Sequence, residues 1–364
     1  MKSHAMLADD LTGALDAAAP FASLQEPVAV NWSGRAQCDQ VRFAIDSESR
    51  EIPPIEAVER MAALLPIICG KEFAYKKIDS LIRGNTITEL QACSASGLFG
   101  TLVMAPAFPA QGRITRNGQQ LARLNDGNWA AAGPNLAETF QAESRLIGLN
   151  DKLQGGGVAI CDAESDADLV RLAACRDRLV EPVLWCGSAG LARALSGAPH
   201  AFSQPTGGRR LVVVGSSHWV ALAQTERLNQ AFPGLLVSVS SKSEVQAAIL
   251  AIGLGLNHRG LAGLKLAVPG YDNAHASAVY TNVVDALRVL PCPDILVVVG
   301  GATLYQLCRA LEATRLNTIG EWMPGVAVSV LSDGLWQGTR VISKSGAFGG
   351  SDFLVDVLAK TERV

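Results

Sequence analysis

Short apolar runs alternate along the chain with longer segments whose apolar residues recur every three or four positions, and this alternation limits the fold more than any other feature. A strand buried on both faces reads as a continuous apolar run, whereas a helix lying on a sheet buries one stripe, so the pattern predicts parallel strands covered by helices. The runs place strands near Ala5–Leu7, Val28–Asn31, Arg42–Ile45, Phe73–Lys76, Thr101–Ala105, Val158–Cys161 and Val183–Trp185. Ile55–Cys69, Thr86–Ser94 and Asp166–Leu179 read as helices, the last opening on acidic residues that suit a helix N-terminus. Ser196–Gly208, rich in Gly, Pro and Ser, reads as a linker. Beyond it the pattern restarts, with strands Leu211–Val214, Leu235–Val239, Leu264–Val268 and Ile295–Val299 and helices Val220–Ala231 and Ser277–Val289. The expected fold class is α/β with two domains, residues 1–200 and 209–364, each a mostly parallel sheet flanked by helices.

Composition narrows the partners. The 364 residues are 49% hydrophobic and 18% charged, with a net charge of −3. No dense Lys/Arg run offers a footprint for nucleic acid or an anionic membrane. No stretch reaches the roughly 18 uninterrupted apolar residues of a membrane span. Asp9 and Asp10 interrupt the N-terminus before a signal-peptide apolar region is complete. The sequence therefore predicts a cytoplasmic protein acting on a small molecule. Its eight cysteines form no C-x-x-C pair and have no histidine at zinc-finger spacing, which predicts reduced core thiols and no zinc site.

In open α/β sheets ligands bind beyond the carboxyl ends of strands, so the residues just after each apolar run carry the functional information. The first such junction, Ala8-Asp9-Asp10-Leu11-Thr12-Gly13, holds two carboxylates that would bind a metal or a hydroxyl, or else Asp10 or Thr12 caps the following helix. The second, Lys76-Lys77-Ile78-Asp79-Ser80-Leu81-Ile82-Arg83-Gly84-Asn85, mixes both signs of charge. Lys and Arg suit an anion, and a carboxylate suits a substrate hydroxyl; the competing reading is a solvated, salt-bridged loop. The third, Pro106-Ala107-Phe108-Pro109-Ala110-Gln111-Gly112-Arg113, is a stiff loop from which Arg113 would reach an anion.

Three glycine-bearing junctions follow in the second half: Gly215-Ser216-Ser217-His218, Gly300-Gly301-Ala302-Thr303 and Lys344-Ser345-Gly346. Glycines let backbone N–H groups approach phosphates, although neither G-x-x-x-x-G-K-[ST] nor a clean G-x-G-x-x-G is present. Gly187-Ser188-Ala189-Gly190 imitates a nucleophile elbow, which makes Ser188 the mark of a hydrolase reading with His200, His218, His258 or His275 as base.

Taken in order, these blocks resemble the four-carbon acid sugar kinase family, which includes 3-oxo-tetronate, threonate and erythronate kinases. Ala8-Asp9-Asp10-Leu11-Thr12-Gly13-Ala14 is similar to its A-D-D-F-T-G-A opening, and Lys76–Asn85 is similar to its K-K-I-D-S-T-L-R-G-N segment. Pro106–Pro109 with Gly112-Arg113, Gly300-Gly301 with Thr303, Pro324-Gly325-Val326, and Lys344–Gly346 with Phe348-Gly349 extend the resemblance over nearly the whole chain. The resemblance implies an N-terminal domain that binds the acid, a C-terminal domain that binds ATP with Mg²⁺, and an active site in the cleft between them. It places Asp9, Asp10, Lys77, Asp79, Ser80 and Arg83 on the acid side, where Arg113 also lies; phosphoryl transfer needs a carboxylate to accept the hydroxyl proton, for which Asp79 or Asp10 is expected, and Arg83 and Lys77 are expected to grip the substrate carboxylate. It assigns Ser216 or Ser217, Gly300, Gly301, Ala302, Thr303, Lys344 and Gly346 to the nucleotide. The alternative within the same family is a catalytically weakened protein that binds a sugar acid or a nucleotide. A homodimer is expected on general grounds, since closed two-fold assemblies are the commonest oligomers.

Overall fold

A computed structural model describes residues 3–32, 40–124, 126–141, 144–180, 182–197, 207–266 and 274–360. The middle of the expected linker, 198–206, and Cys38 lie outside the described residues. The chain divides into two compact units, Met1–His200 and Ala201–Val364.

The first unit runs β1 (His4–Ala8), α1 (Leu11–Ala18), β2 (Val28–Trp32), β3 (Arg42–Asp46), α2 (Pro54–Ile68), β4 (Phe73–Lys77), α3 (Thr86–Ala95), β5 (Thr101–Ala105), β6 (Arg113–Arg116), β7 (Gln119–Arg123), β8 (Trp129–Ala131), α4 (Leu136–Thr139), β9 (Ser144–Ile147), β10 (Gly157–Cys161), α5 (Asp166–Ala173), β11 (Val183–Gly187) and α6 (Ala189–Ser196). Its sheet has the order β2-β3-β1-β4-β11-β5-β10-β9, and every pairing in it is parallel. Ala5 and Leu7 share a core with Met61 and Leu65 of α2 and Leu90 of α3, as strand alternation requires of one face. The expected helix at 166–179 ends earlier, at Ala173, and a 3₁₀ turn covers Arg176–Arg178.

A small antiparallel sheet, β6-β7-β8, was not anticipated from the polar run after Arg113. Its tight turn is Asn117-Gly118, where both residues have positive φ (51° and 72°), the conformation a two-residue hairpin of this hand demands. Asp162 fixes the turn by accepting from the N–H groups of Asn117 (2.8 Å) and Gly118 (2.9 Å).

The second unit contains β12 (Arg210–Val214), α7 (Trp219–Ala231), β13 (Leu236–Val239), α8 (Val245–Arg259), β14 (Leu261–Leu266), α9 (Ala274–Ala286), β15 (Ile295–Val299), α10 (Gly301–Ala310), β16 (Arg315–Met323), β17 (Val326–Leu331), β18 (Arg340–Lys344) and α11 (Phe353–Lys360). The order is β13-β14-β12-β15-β18-β17-β16, parallel through β18 and closed by the antiparallel strands β17 and β16. The sequence reading gave no range for β16, β17, β18, α8, α10 or α11. The β16–β17 hairpin turns on Pro324-Gly325, with Gly325 at φ 81°. Helix α8 was hidden because it keeps Leu250 and Leu254 on its exposed side, which blurs the one-sided apolar stripe. The expected strand at 264–268 spans Leu261–Leu266, and 267–268 lie outside the described residues.

Cys69, Cys93, Cys161, Cys175, Cys186, Cys292 and Cys308 are free thiols. Burial pushes Cys93 and Cys308 up to about 12, which leaves them protonated and inert at neutral pH. Among the described residues no helix is long and apolar enough to cross a membrane.

Candidate functional site

Three adjacent parallel strands of the first unit, β3, β1 and β4, end in register: Ala8 lies beside Asp46, and Leu7 beside Lys76. The loops that follow them therefore emerge side by side, and oppositely charged groups from each meet. Arg50, from the loop after β3, is the hub. Its Nε and Nη2 donate to both oxygens of Asp9 (2.9 Å each), its Nη1 donates to Asp10 Oδ2 (2.5 Å), and Nη2 lies 3.8 Å from Asp79 Oδ2. Arg83 forms a second two-pronged pair, with Nε 3.0 Å from Asp79 Oδ1 and Nη2 2.6 Å from Oδ2. No motif in the sequence singles out Arg50. The rule that located the other junctions applies to it too, because it follows β3 through the polar stretch Ser47-Glu48-Ser49.

Burial by itself would raise the Asp9 carboxyl, but the charges of Arg50 and Lys76 override it and hold the group below its ordinary value. Asp79 is held far below the carboxylate range in the same way, burial being outweighed by the Arg83 hydrogen bonds and the Arg50 charge. Asp46 behaves oppositely: burial, with the negative charge of Asp10 beside it, pushes its carboxyl well up.

Several of these residues also build the local chain. Asp10 is the N-cap of α1, its Oδ1 accepting from Gly13 N–H at 2.7 Å, so the capping role is realised by one oxygen while the other faces Arg50. Asp79 folds its own loop by accepting from the N–H groups of Leu81 (2.8 Å) and Arg83 (3.3 Å) around Ile82, held at φ 58°. A β-branched residue in that region is strained, and the Asp79 bonds oppose the strain. Gly84 is required for a different reason: a Cβ there would stand 2.6 Å from the Arg50 carbonyl oxygen, so the glycine admits the Arg50 loop. Asn85 ties that loop down, its Nδ2 donating to Ser49 O and Ile52 O.

Of the paired lysines, Lys76 is fully buried and bound to Glu89 at 2.7 Å. Lys77 donates to Ile78 O (2.9 Å) and lies beside Gly13 at the start of α1. Ser80 is held through its carbonyl, which accepts from Gln120 Nε2 at 2.7 Å; Gln120, buried on β7, also reaches Pro106 O (3.4 Å) and so links the second and third junctions. Arg113 donates to Gln111 O and lies near enough to Asp79 and Arg83 to feel both charges. Ser188 is a helix cap: buried, it donates to Ala107 O (2.6 Å) and accepts from Gly190 N–H (3.1 Å). That arrangement spends its hydroxyl on the backbone and removes the nucleophile-elbow reading; His200 lies outside the described residues.

In the second unit β12, β15 and β18 are likewise neighbours, with Val214 beside Val299 and Val299 beside Lys344. Their loops converge so closely that glycine is the residue that fits. At Gly215 a Cβ would run into the Thr303 hydroxyl, at Gly300 it would stand 3.0 Å from Thr303 Oγ1 and 3.4 Å from Ser216 N, and at Gly346 it would meet the Ser216 side chain and His218 Cβ (3.2 Å). Ser216, Gly300, Thr303 and Gly346 are thus brought together, while Ser217 is exposed beside them. Gly300, at φ 120°, precedes α10 with no side-chain cap, so the first-turn N–H groups of Gly301, Ala302 and Thr303 face an end of the helix that favours anions. Lys344 is 1% exposed and donates to Ser345 O (3.0 Å) and Phe348 O (2.8 Å); burial draws its pKa down to about 7. The described residues contain no group of three His, Cys, Asp or Glu side chains placed to hold a metal.

Known families match within each of the two units. The profile of a sugar-binding N-terminal domain family matches residues 4–139 and 127–195, and that of a nucleotide-binding C-terminal domain family matches residues 265–354. The chain is 31% identical to a D-threonate kinase of Cupriavidus necator over 95% of each protein. It is 30% identical to a D-threonate kinase of Bordetella bronchiseptica, over 96% of this chain and 95% of the relative. Among solved structures, a Haemophilus influenzae protein of the DUF1537 family superposes with a TM-score of 0.69 at 20% identity, over 98% of this chain and all of the other. A Salmonella typhimurium protein described as a tRNA synthase superposes with a TM-score of 0.74 at 21% identity, over 98% of both chains, a likeness of fold alone.

Proposed function

Because the chain belongs to the four-carbon acid sugar kinase family, a class of sugar-acid kinases, we propose that it transfers the γ-phosphoryl group of ATP to a hydroxyl of D-threonate or a closely related four-carbon acid. The observation that carries this reading is the pair of strand-end clusters, one of carboxylates and guanidinia, the other of glycine loops around an uncapped helix N-terminus. The acid side is Asp9, Asp10, Lys77, Asp79, Ser80, Arg83 and Arg113, joined by Arg50. Asp9 and Asp79 are spent on Arg50 and Arg83 and act as positioning residues for those cations. Arg83, whose side chain is 60% exposed, takes the substrate carboxylate, with Arg113 and Lys77 adding positive potential. Asp10, with a quarter of its side chain open to solvent, takes the proton of the attacking hydroxyl.

On the nucleotide side, the N–H groups of Gly301, Ala302 and Thr303 receive phosphate oxygens, with Ser216, Ser217 and Gly346 around them and Lys344 adding charge. Among the described residues no three-ligand cluster stands ready for a metal, so Mg²⁺ would enter together with ATP. When bound, the ion would supply positive charge against the phosphates.

The test is ADP release with Mg-ATP over a panel of threonate, erythronate and 3-oxo-tetronate isomers. Turnover on one acid, with kcat reduced about 10²-fold or more in Asp10→Asn at little change in KM, is the expected result. Asparagine is as good an N-cap as aspartate, so this variant keeps the helix cap, and its Tm measures separately what the weakened Arg50 contact costs. Tight nucleotide binding with no turnover on any acid would make the protein a binding member of the family instead. Arg83→Ala is expected to raise KM for the acid about tenfold to hundredfold and leave KM for ATP unchanged; equal KM values would remove Arg83 from the substrate.

A further inference from the structure

Trp219 opens α7 and is 58% exposed, and among the described residues it is the one aromatic in this unit's set of exposed large apolar residues. A first-turn indole more than half open to water gives up much of the stabilisation that burial brings, so core packing gives little reason for an aromatic here. Its surroundings suggest what does. His218, the preceding residue, caps α7 through Nδ1, which accepts from Val220 N–H at 3.2 Å and so places the imidazole proton on Nε2. The His218 ring lies 5.7 Å from the indole, tilted by 33°, and braces it. On its other side His218 abuts Gly346, and Ser216, two residues earlier, abuts both Gly300 and Gly346. The indole therefore begins one residue beyond the point where the three glycine loops meet. Leu222, three positions along α7 and also exposed, continues the same apolar strip.

We propose that Trp219, braced by His218 and extended by Leu222, is the shelf on which the base of the bound nucleoside triphosphate stacks, and that it gives the site its preference for a nucleotide over a bare polyphosphate. This inference rests on the nucleotide reading above. The phosphates occupy the loops and the N-terminus of α10, and the base occupies the apolar strip next to them, a pairing of chemistries that a nucleotide carries in one molecule. Stacking on an aromatic face is sequence-tolerant and strong enough to measure in a single substitution.

Equilibrium binding of Mg-ATP and of inorganic tripolyphosphate to the full chain separates the possibilities. The shelf predicts that Trp219→Ala weakens ATP roughly tenfold to hundredfold and leaves tripolyphosphate unchanged, while Trp219→Phe keeps ATP within a few fold. Quenching of tryptophan fluorescence by ATP should be smaller in Trp219→Phe than in the parent protein. Unchanged ATP affinity in Trp219→Ala overturns the proposal, and so does an equal loss for both ligands, which would mean a structural role in the loops. Failure of the parent protein to bind either ligand would instead bring down the nucleotide reading itself, and the shelf with it.

Discussion

Replacing Arg50 by alanine is expected to lower Tm by on the order of 10 °C and to reduce kcat/KM for the acid at least about a hundredfold. Asp9 is 1% exposed and both its oxygens are held by the one guanidinium, so the substitution strands a buried carboxylate. Breaking such a pair from one side costs about 3–5 kcal/mol, and each kcal/mol moves the midpoint of a domain this size by roughly 2–4 °C. Asp10 and Asp79 lose the same partner, so the three carboxylates of the cluster are released together. Calorimetry of Arg50→Ala, Arg50→Lys and the double variant Asp9→Leu, Arg50→Met checks this. The double variant should recover part of the Tm and none of the turnover; a wild-type Tm in Arg50→Ala would refute the pairing. The carboxylates also set an acid limit. Asp9 and Asp79 titrate below their unfolded value of 3.8, so the stability they confer is complete above that value and is lost as the pH falls through the lower folded one.

The opposite trade is expected at Lys344, where Lys344→Met should raise the Tm of the unliganded protein by about 3 °C or more near pH 6 while weakening Mg-ATP about tenfold to hundredfold. Among the described residues no carboxylate pairs with this ammonium, and two backbone carbonyls are its acceptors. With a folded pKa of about 7 against 10.5 unfolded, the folded protein binds fewer protons between those values. Its stability therefore rises with pH across that window, and below it the buried charge is carried at full cost. On the proposed nucleotide reading, a bound triphosphate would supply the missing negative charge and restore the proton. Affinity for ATP should accordingly decline as the pH passes above 7, with proton uptake on binding visible by calorimetry in buffers of different ionisation enthalpy. Both effects should vanish in Lys344→Met. A parent protein whose ATP affinity is flat from pH 6 to 9 would exclude Lys344 from the phosphate site.

The sequence carries the sheet more openly than it carries the site. Strands such as Val212–Val214 and Val297–Val299 are apolar on both faces because helices cover both, and that composition cannot be mistaken. Helix α8 and the β6-β7-β8 sheet escape the same reading because their burial is partial, although Asn117-Gly118 was a legible hairpin signal. The site residues are legible where charge or glycine follows a strand, as at Asp9-Asp10 and Gly300-Gly301. What no spacing reveals is division of labour: Lys76 and Lys77 are adjacent, yet one is locked to Glu89 and the other lies beside α1. Arg50 is the clearest instance. Its partners are 40 and 41 residues away, and only the parallel register of β3 and β1 makes them neighbours.

Strand order in the first unit has a consequence for biosynthesis. The charged residues from Asp9 to Arg83 follow β1, β3 and β4, which can pair as soon as they leave the ribosome, whereas β4 gains its other neighbour only when β11 arrives, between Lys77 and Val183 in the chain. Until then β4 and β5 each present an open apolar edge, the usual template for association between nascent chains. The charged cluster at the tip of the early half is thus assembled before the strand that closes the sheet, and the interval in which β11 is still missing is the one in which a chaperone would matter most.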